Sequence, residues 1–232
     1  MAIAPLLTDD ELQHLRRLST CIVANAVEKF NVRLRNTGFT NGSIHCRFPD
    51  APAMVGYAVT ARLRSEDPPV AGKMFRDRRD FWNAILTIPS PRVLVLRDMD
   101  EPPGRGAFVG DVHTAILKAL GCVGYVTNGA VRELAGVKDQ DFQLFSGNLA
   151  VSHAYAHIFD FGANIVVGGM DVHPGDLLHG DRHGVLTIPA EIAAEVPRVA
   201  GELEVLEKKV IEFCRSEEFS VEKLSEITKS VG

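Results

Sequence analysis

The chain has no apolar run near the roughly eighteen residues that a membrane-spanning helix needs, so no transmembrane segment is expected. Met1 to Leu7 is short and uncharged, without the pattern of a secretory leader. Positive charge is not in excess either. The formal net charge is -5, and the longest basic cluster is Arg76-Asp77-Arg78-Arg79. That excludes an electrostatic footprint for nucleic acid. Cysteines are few, and Cys21, Cys46, Cys122 and Cys214 stand far apart with no CxxC pair. This argues against a disulfide framework or a zinc site, and for buried free thiols in a cytoplasmic, reducing setting. GxGxxG, P-loop and GxSxG motifs are missing, which removes the main support for nicotinamide, nucleotide triphosphate or serine-hydrolase chemistry. No lysine stands out as a Schiff-base former, so a metal-dependent mechanism is favoured over a lysine one.

What is present suits one large domain. The 232 residues are 46% hydrophobic, enough for a proper core. Thr8-Asp9-Asp10-Glu11 is a capping-type helix start, and Ser19-Thr20 predicts a second helix carrying Ile22, Val23, Ala26 and Val27. Residues 31–52 read as a long loop with at most a short strand. Strands are expected at Met54 to Leu63, Arg92 to Leu96, Cys122 to Val126, Gln143 to Phe145, His153 to Phe161 and Asn164 to Val167. Val172 to Pro189 reads as a hairpin with an Asp-x-x-Gly turn. Phe75 to Leu86, Ala190 to about Cys214 and Val221 to Lys229 read as helices, and residues 134–141 as a polar connection. The expected class is α/β, a mixed sheet with helices packed on it. Residues 1–190 are expected to form the main domain, with the N-terminal helices, and residues 191–232 a C-terminal helical extension. Leu203, Leu206 and Val210 are expected to leave an apolar stripe that favours a homo-oligomer.

The chemistry concentrates in Gly110-Asp111-Val112-His113-Thr114 and, after the twenty positions 112–131, Arg132-Glu133. An amphipathic helix from Asp111 that stops at Gly121 and turns into a strand brings the strand's end back to the helix start. Gly110 permits close backbone approach, and the amides of Val112 and His113 offer a seat for a carboxylate. Arg132 can grip a carboxylate or oxo acid with two parallel hydrogen bonds, and Glu133 and Asp111 are hard oxygen ligands suited to Mg2+ or Mn2+. The plainer alternatives are that Asp111 is only an N-cap and that Arg132-Glu133 is a surface ion pair. Because adjacent residues do not face each other on a helix, the functional reading needs an irregular turn, for which Asn128-Gly129 is the candidate. His153 and His157 have the spacing of a helical zinc pair but sit in a strand-like stretch. His173, His179 and His183 flank the hairpin turn and are expected in solvent.

The spacing Asp-x20-Arg-acidic resembles the signature of the class II pyruvate aldolases that share a fold with the regulator of ribonuclease activity A (RraA). Met54 to Thr60 is similar to that family's Gly-x-Ala-x-Thr strand, Val172 to Pro189 to its PGD-containing hairpin, and Ser19 to Val27 to its N-terminal helix. The resemblance covers most of residues 19–190. It implies an RraA-like three-layer swivelling β/β/α fold assembled as a homotrimer or homohexamer, with the pocket between neighbouring subunits. It also implies a divalent-metal-dependent lyase that cleaves a pyruvate-derived 4-hydroxy-2-oxo acid by retro-aldol reaction, with oxaloacetate decarboxylase side activity. On that footing Arg132 would hold pyruvate and its enolate, Glu133 would bind the metal, and Asp111 would hold a water on it. Gly110 and the amides of Val112 and His113 would receive the pyruvate carboxylate. Glu133 departs from the family, which usually carries aspartate there. The alternative in the same fold is a non-catalytic, protein-binding regulator of an RNA-processing ribonuclease.

Overall fold

A computed structural model describes residues 4–69 and 78–228. Residues 75–77 of the expected third helix and Lys229 of the last one lie outside them. The chain begins with α1 (Asp9–Leu15) and α2 (Thr20–Lys29), followed by β1 (His45–Cys46), β2 (Met54–Arg64), α3 (Arg78–Leu86), β3 (Arg92–Asp98) and β4 (Ala107–Val109). Next come α4 (Asp111–Ala119), β5 (Cys122–Val131), α5 (Leu134–Lys138), β6 (Gln143–Leu149), β7 (His157–Phe161), β8 (Ile165–Val167) and β9 (Met170–Val172). The hairpin β10 (Leu177–Asp181) and β11 (Gly184–Ile188) leads to α6 (Val196–Cys214) and α7 (Val221–Thr228).

Local chemistry sets the first elements. Thr8 and Glu11 close a reciprocal capping box on α1, and the Ser19 hydroxyl accepts the Ile22 amide to start α2. The strands then join a nine-stranded mixed sheet in the order β1-β6-β5-β3-β2-β10-β11, with β4 on β5 and β7 on β2. Its centre, from β2 through β3 and β5 to β6, is parallel. Strand alternation divides the core in two. Val55, Tyr57, Val59, Ala61 and Leu63 of β2 join Leu94 and Leu96 of β3 under Leu15, Ile22, Val23, Val27 and Leu203 of the helices. Met54 and Ala58, with Val93 and Val95, face the opposite side and pack on Ile165, Val167, Met170 and Val172 of the small β8–β9 hairpin. Helices, large sheet and hairpin form the three layers expected. Among the described residues no helix is long and apolar enough to cross a membrane.

The structure corrects several expectations. The strand expected over Cys122 to Val126 runs on to Val131, and Asn128-Gly129 is a register shift inside it rather than a turn. β7 starts only at His157, and residues 134–138 of the polar connection are helical. Cys21 and Cys214 are exposed; Cys122 alone is buried, and burial pushes its thiol up to about 12. Of the apolar stripe expected on α6, Leu203 is buried in contact with the core where α6 packs on α2, whereas Leu206 and Val210 stay half-exposed.

His179 is not solvated but wholly buried. Its Nε2 lies 2.9 Å from the Leu15 carbonyl and its Nδ1 3.0 Å from the Thr20 hydroxyl. A carbonyl only accepts, so Nε2 carries the proton and Nδ1 accepts from Thr20. Burial holds this imidazole below its ordinary value, against the opposing pull of the Leu15 carbonyl and nearby Asp181. A depressed histidine contributes stability that is present above its unfolded value of about 6.5 and lost as pH falls toward the folded one. The urea midpoint should therefore fall between pH 7 and 5 in the wild type, and His179→Gln should flatten that slope. An unchanged slope in the variant would assign the acid sensitivity elsewhere.

Candidate active site

β3 and β4 occupy the same lane beside β5, β3 pairing with its first half and β4 with its second. Between them, residues 99–106 loop out and are held by two buried carboxylates. Asp98 accepts the Asp100 and Gly104 amides at 3.1 and 2.8 Å, and Asp100 accepts the Ser65 and Glu66 amides at 2.6 and 2.9 Å. Asn128 clasps the Asp98 backbone from β5, donating to its carbonyl at 2.9 Å and accepting its amide at 2.8 Å. The loop thus returns to the lane as β4, parallel to β5 with Val109 opposite Val131. Both strands end at one level, where β4 runs into Gly110-Asp111 and β5 into Arg132-Glu133, the two motifs expected to meet. Ligand sites in α/β sheets form beyond such carboxyl ends.

Gly110 caps α4, and Asp111 is the first helical residue rather than the cap. A Cβ at Gly110 would lie 2.3 Å from Glu133 Oε2 and 3.1 Å from Arg132 Cγ, so a side chain there fits only by displacing the Glu133 carboxylate. The irregular turn required by the sequence falls at Glu133 itself, whose backbone is left-handed at φ 55, ψ 43. Such a conformation is uncommon outside glycine and costs of order 1–3 kcal/mol. Here it folds the carboxylate back toward α4 instead of capping α5. Glu133 Oε2 accepts the Asp111 amide at 3.1 Å, and Oε1 accepts Arg132 Nη2 at 2.7 Å. Asp111 Oδ1 accepts the Val112 amide at 2.6 Å.

Two of the chain's own carboxylates therefore sit on the first amides of α4, where the helix dipole favours negative charge. Arg132 balances one of them through Nη2, while its Nε is buried with no partner in the chain. An unpaired buried donor costs about 1–3 kcal/mol, so this guanidinium carries a donor awaiting an acceptor. Arg132 and Glu133 do form the ion pair that was the plainer alternative, and Gly110, Asp111, Val112, Arg132 and Glu133 lie together at the start of α4. His113 belongs to the same turn but points to the other flank. Its ring stacks on Phe108 at 4.7 Å and is half-buried.

Sequence reading missed the brace behind the site. Gln140 Nε2 donates to the carbonyls of Asp111 (3.0 Å) and Gly136 (3.2 Å), locking α5 to the start of α4. Gly136 is pressed so close that a Cβ there would stand 3.0 Å from Asp111 Cβ. Neither residue carries a motif. Val112 and Leu149, at 66% and 55% exposure, leave apolar surface around the site.

Among the described residues no cluster of three or more His, Cys, Asp or Glu side chains gathers at metal-binding spacing. Magnesium and manganese need only one or two protein carboxylates, because they retain waters. Asp111 and Glu133, joined through one hydrogen bond, meet that requirement in donor type.

Residues 20–187 match the RraA-like family described as Aldolase/RraA. The chain belongs to that family. A Halalkalibacterium halodurans relative named "Putative 4-hydroxy-4-methyl-2-oxoglutarate aldolase" is 34% identical over 84 residues, 36% of this chain and 40% of that protein. Protein DlpA of Legionella pneumophila is 23% identical over 100 residues, 42% of this chain and 16% of its own length. The chain thus spans well under half of these curated relatives. Among solved structures, an uncharacterized protein from Pseudomonas syringae pv. tomato superposes with TM-score 0.74 at 23% identity, over 99% of this chain and 97% of that one. Streptomyces coelicolor RraAS2, described as an unusual member of the RNase ES inhibitor RraA protein family, gives 0.69 at 18% identity, over 88% and 97%. Both likenesses establish the Aldolase/RraA fold.

Proposed function

We propose that this Aldolase/RraA member is a divalent-metal-dependent carbon–carbon lyase. It cleaves a pyruvate-derived 4-hydroxy-2-oxo acid by retro-aldol reaction and decarboxylates oxaloacetate as a side activity. The observation that carries the reading is Arg132, a half-paired guanidinium set beside two carboxylates on one helix start. In this reading the substrate carboxylate takes the first amides of α4, which the chain's own carboxylates occupy in its absence. Arg132 turns its unpaired Nε to the oxo acid and stabilises the enolate charge as it develops. Glu133 and Asp111 would hold Mg2+ or Mn2+, whose chemistry there is to polarise the C2 carbonyl as a Lewis acid. In this reading Asp111 would position a water that carries the proton from the C4 hydroxyl to C3.

Glu133, at the position where the resemblance leads one to expect aspartate, has a left-handed backbone that turns its longer side chain back toward α4. Self-association as a trimer or hexamer belongs to the same proposal. Val112 and Leu149 would be covered by a second copy, and light scattering of a stable monomer would count against it.

With magnesium or manganese, oxaloacetate should release pyruvate, and chelator should abolish the release. Folded protein that releases none under either metal contradicts the lyase. The regulator alternative has no use for paired carboxylates at a helix start. Retention of ribonuclease E in a pull-down, with no turnover, would favour it.

A further inference from the structure

The two carboxylates of the candidate site sit on separate pieces of chain, Asp111 in the first turn of α4 and Glu133 immediately before α5. The Asp111 amide reaches Glu133 Oε2 at 3.1 Å, but that contact ends on a flexible, partly exposed side chain. α5 itself has only five residues, Leu134–Lys138, against the roughly twelve that an isolated helix needs, and Glu133 gives it no side-chain cap. The left-handed backbone of Glu133 is likewise a conformation that persists only where the surroundings enforce it.

Gln140 supplies the link. Just past α5 the Gln140 amide donates to the Val137 carbonyl and the Asp141 amide to the Lys138 carbonyl, both at 3.1 Å, and Asp141 is left-handed at φ 51. This tight terminus sets Gln140 alongside α4. Its Nε2 donates to one carbonyl of each helix, Asp111 of α4 at 3.0 Å and Gly136 of α5 at 3.2 Å. Its own backbone carbonyl accepts Lys118 Nζ from the last turn of α4. Asp111 and Lys118 are seven residues apart, two helical turns, and so share a face. Gln140 is bonded at both ends of that face. The position demands a donor: a carbonyl only accepts, and an amide NH2 has two hydrogens to give.

We propose that Gln140 is a positioning residue: by tying α5 to both ends of α4 it sets the separation of the Asp111 and Glu133 carboxylates, and it touches no reacting atom itself. Gly136, which it grips, stands one helical turn after Glu133, so the hold on α5 is a hold on the Glu133 backbone. The brace stands on these hydrogen bonds, whereas its chemical consequence rests on the lyase reading. If Asp111 and Glu133 share one divalent ion, a pair held at looser spacing binds it less tightly. Loss of an outer partner that orients such groups typically costs about ten- to a hundredfold in metal affinity or activity.

Gln140→Met and Gln140→Glu separate a donor's role from the filling of space, since the three side chains are similar in length. Methionine leaves the two carbonyls without these bonds, and glutamate turns carboxylate oxygens against them. Hydrogen exchange of the metal-free protein, read by mass spectrometry, should be faster over residues 111–116 and 133–140 in both variants, more so with glutamate, and unchanged in β3. The magnesium concentration for half-maximal pyruvate release from oxaloacetate should rise about tenfold or more, in the same order. Wild-type exchange over both segments overturns the proposal, and so does equal acceleration in β3, which would make Gln140 a packing residue. An unchanged magnesium requirement in variants that still turn over overturns it as well. Wild-type protein that releases no pyruvate sinks the lyase reading instead, and the exchange pattern alone then upholds or overturns the brace.

Discussion

Arg132→Ala should lower turnover by about 10²–10³-fold, the usual cost of losing one donor aimed at developing charge. Arg132 has one end tied to Glu133 at 2.7 Å and its Nε buried and unpaired. In the proposed reading the first contact holds the carboxylate in place, and the second is kept for the substrate. Loss of the guanidinium should therefore fall on kcat much more than on the metal concentration required. Glu133→Ala should do the reverse, raising the metal requirement. Arg132→Lys should recover little, since an ammonium cannot reproduce a planar two-pronged contact. Metal-activation curves for the three variants, beside their circular dichroism, separate the roles. Near-wild-type turnover in folded Arg132→Ala would return Arg132-Glu133 to the status of a surface ion pair.

Gly110→Ala should be nearly as damaging, by a different route. The Gly110 backbone is extended, at φ -135 and ψ -157, so alanine meets no conformational penalty there. The obstacle is Glu133 Oε2, 2.3 Å from where the methyl would be. Because that atom ends a flexible side chain, it can swing away and the fold should survive with little loss of stability. The carboxylate, however, then leaves its place beside Arg132. Displacement of catalytic groups by about an ångström costs on the order of 10² in rate. The expected result is a urea midpoint close to wild type with kcat/KM about a hundredfold lower. Equal loss of both quantities would instead mark Gly110 as a packing residue.

What the sequence disclosed and what it hid obey one rule: short-range chemistry is legible, long-range pairing is not. The Thr8–Glu11 box and the Ser19 cap are each complete within a single turn, and both stand as read. The Asp111 and Arg132-Glu133 grouping was also legible, because one helix and one strand of ordinary length return the chain to its starting level. β4 was hidden. Its three residues come after a proline- and glycine-rich loop, and they become a strand only because β5, on the far side of α4, accepts them. Asn128-Gly129 looked like a turn for the same reason, since its bulge is defined by the pairing of β5 with β6 and by Asp98 across the sheet. His179 alternates in a hairpin that looks half-solvated until α1 and α2 close over it. The left-handed backbone of Glu133 carries no glycine or asparagine to announce it.

The most direct test is a crystal of the protein soaked with pyruvate and magnesium. The pyruvate carboxylate should lie on the first amides of α4, with Arg132 Nε donating to the bound acid and the ion against Glu133 and Asp111. Pyruvate bound elsewhere, or Arg132 still paired with Glu133 alone while the acid occupies the pocket, would contradict the assignment of Arg132 as the substrate's anchor.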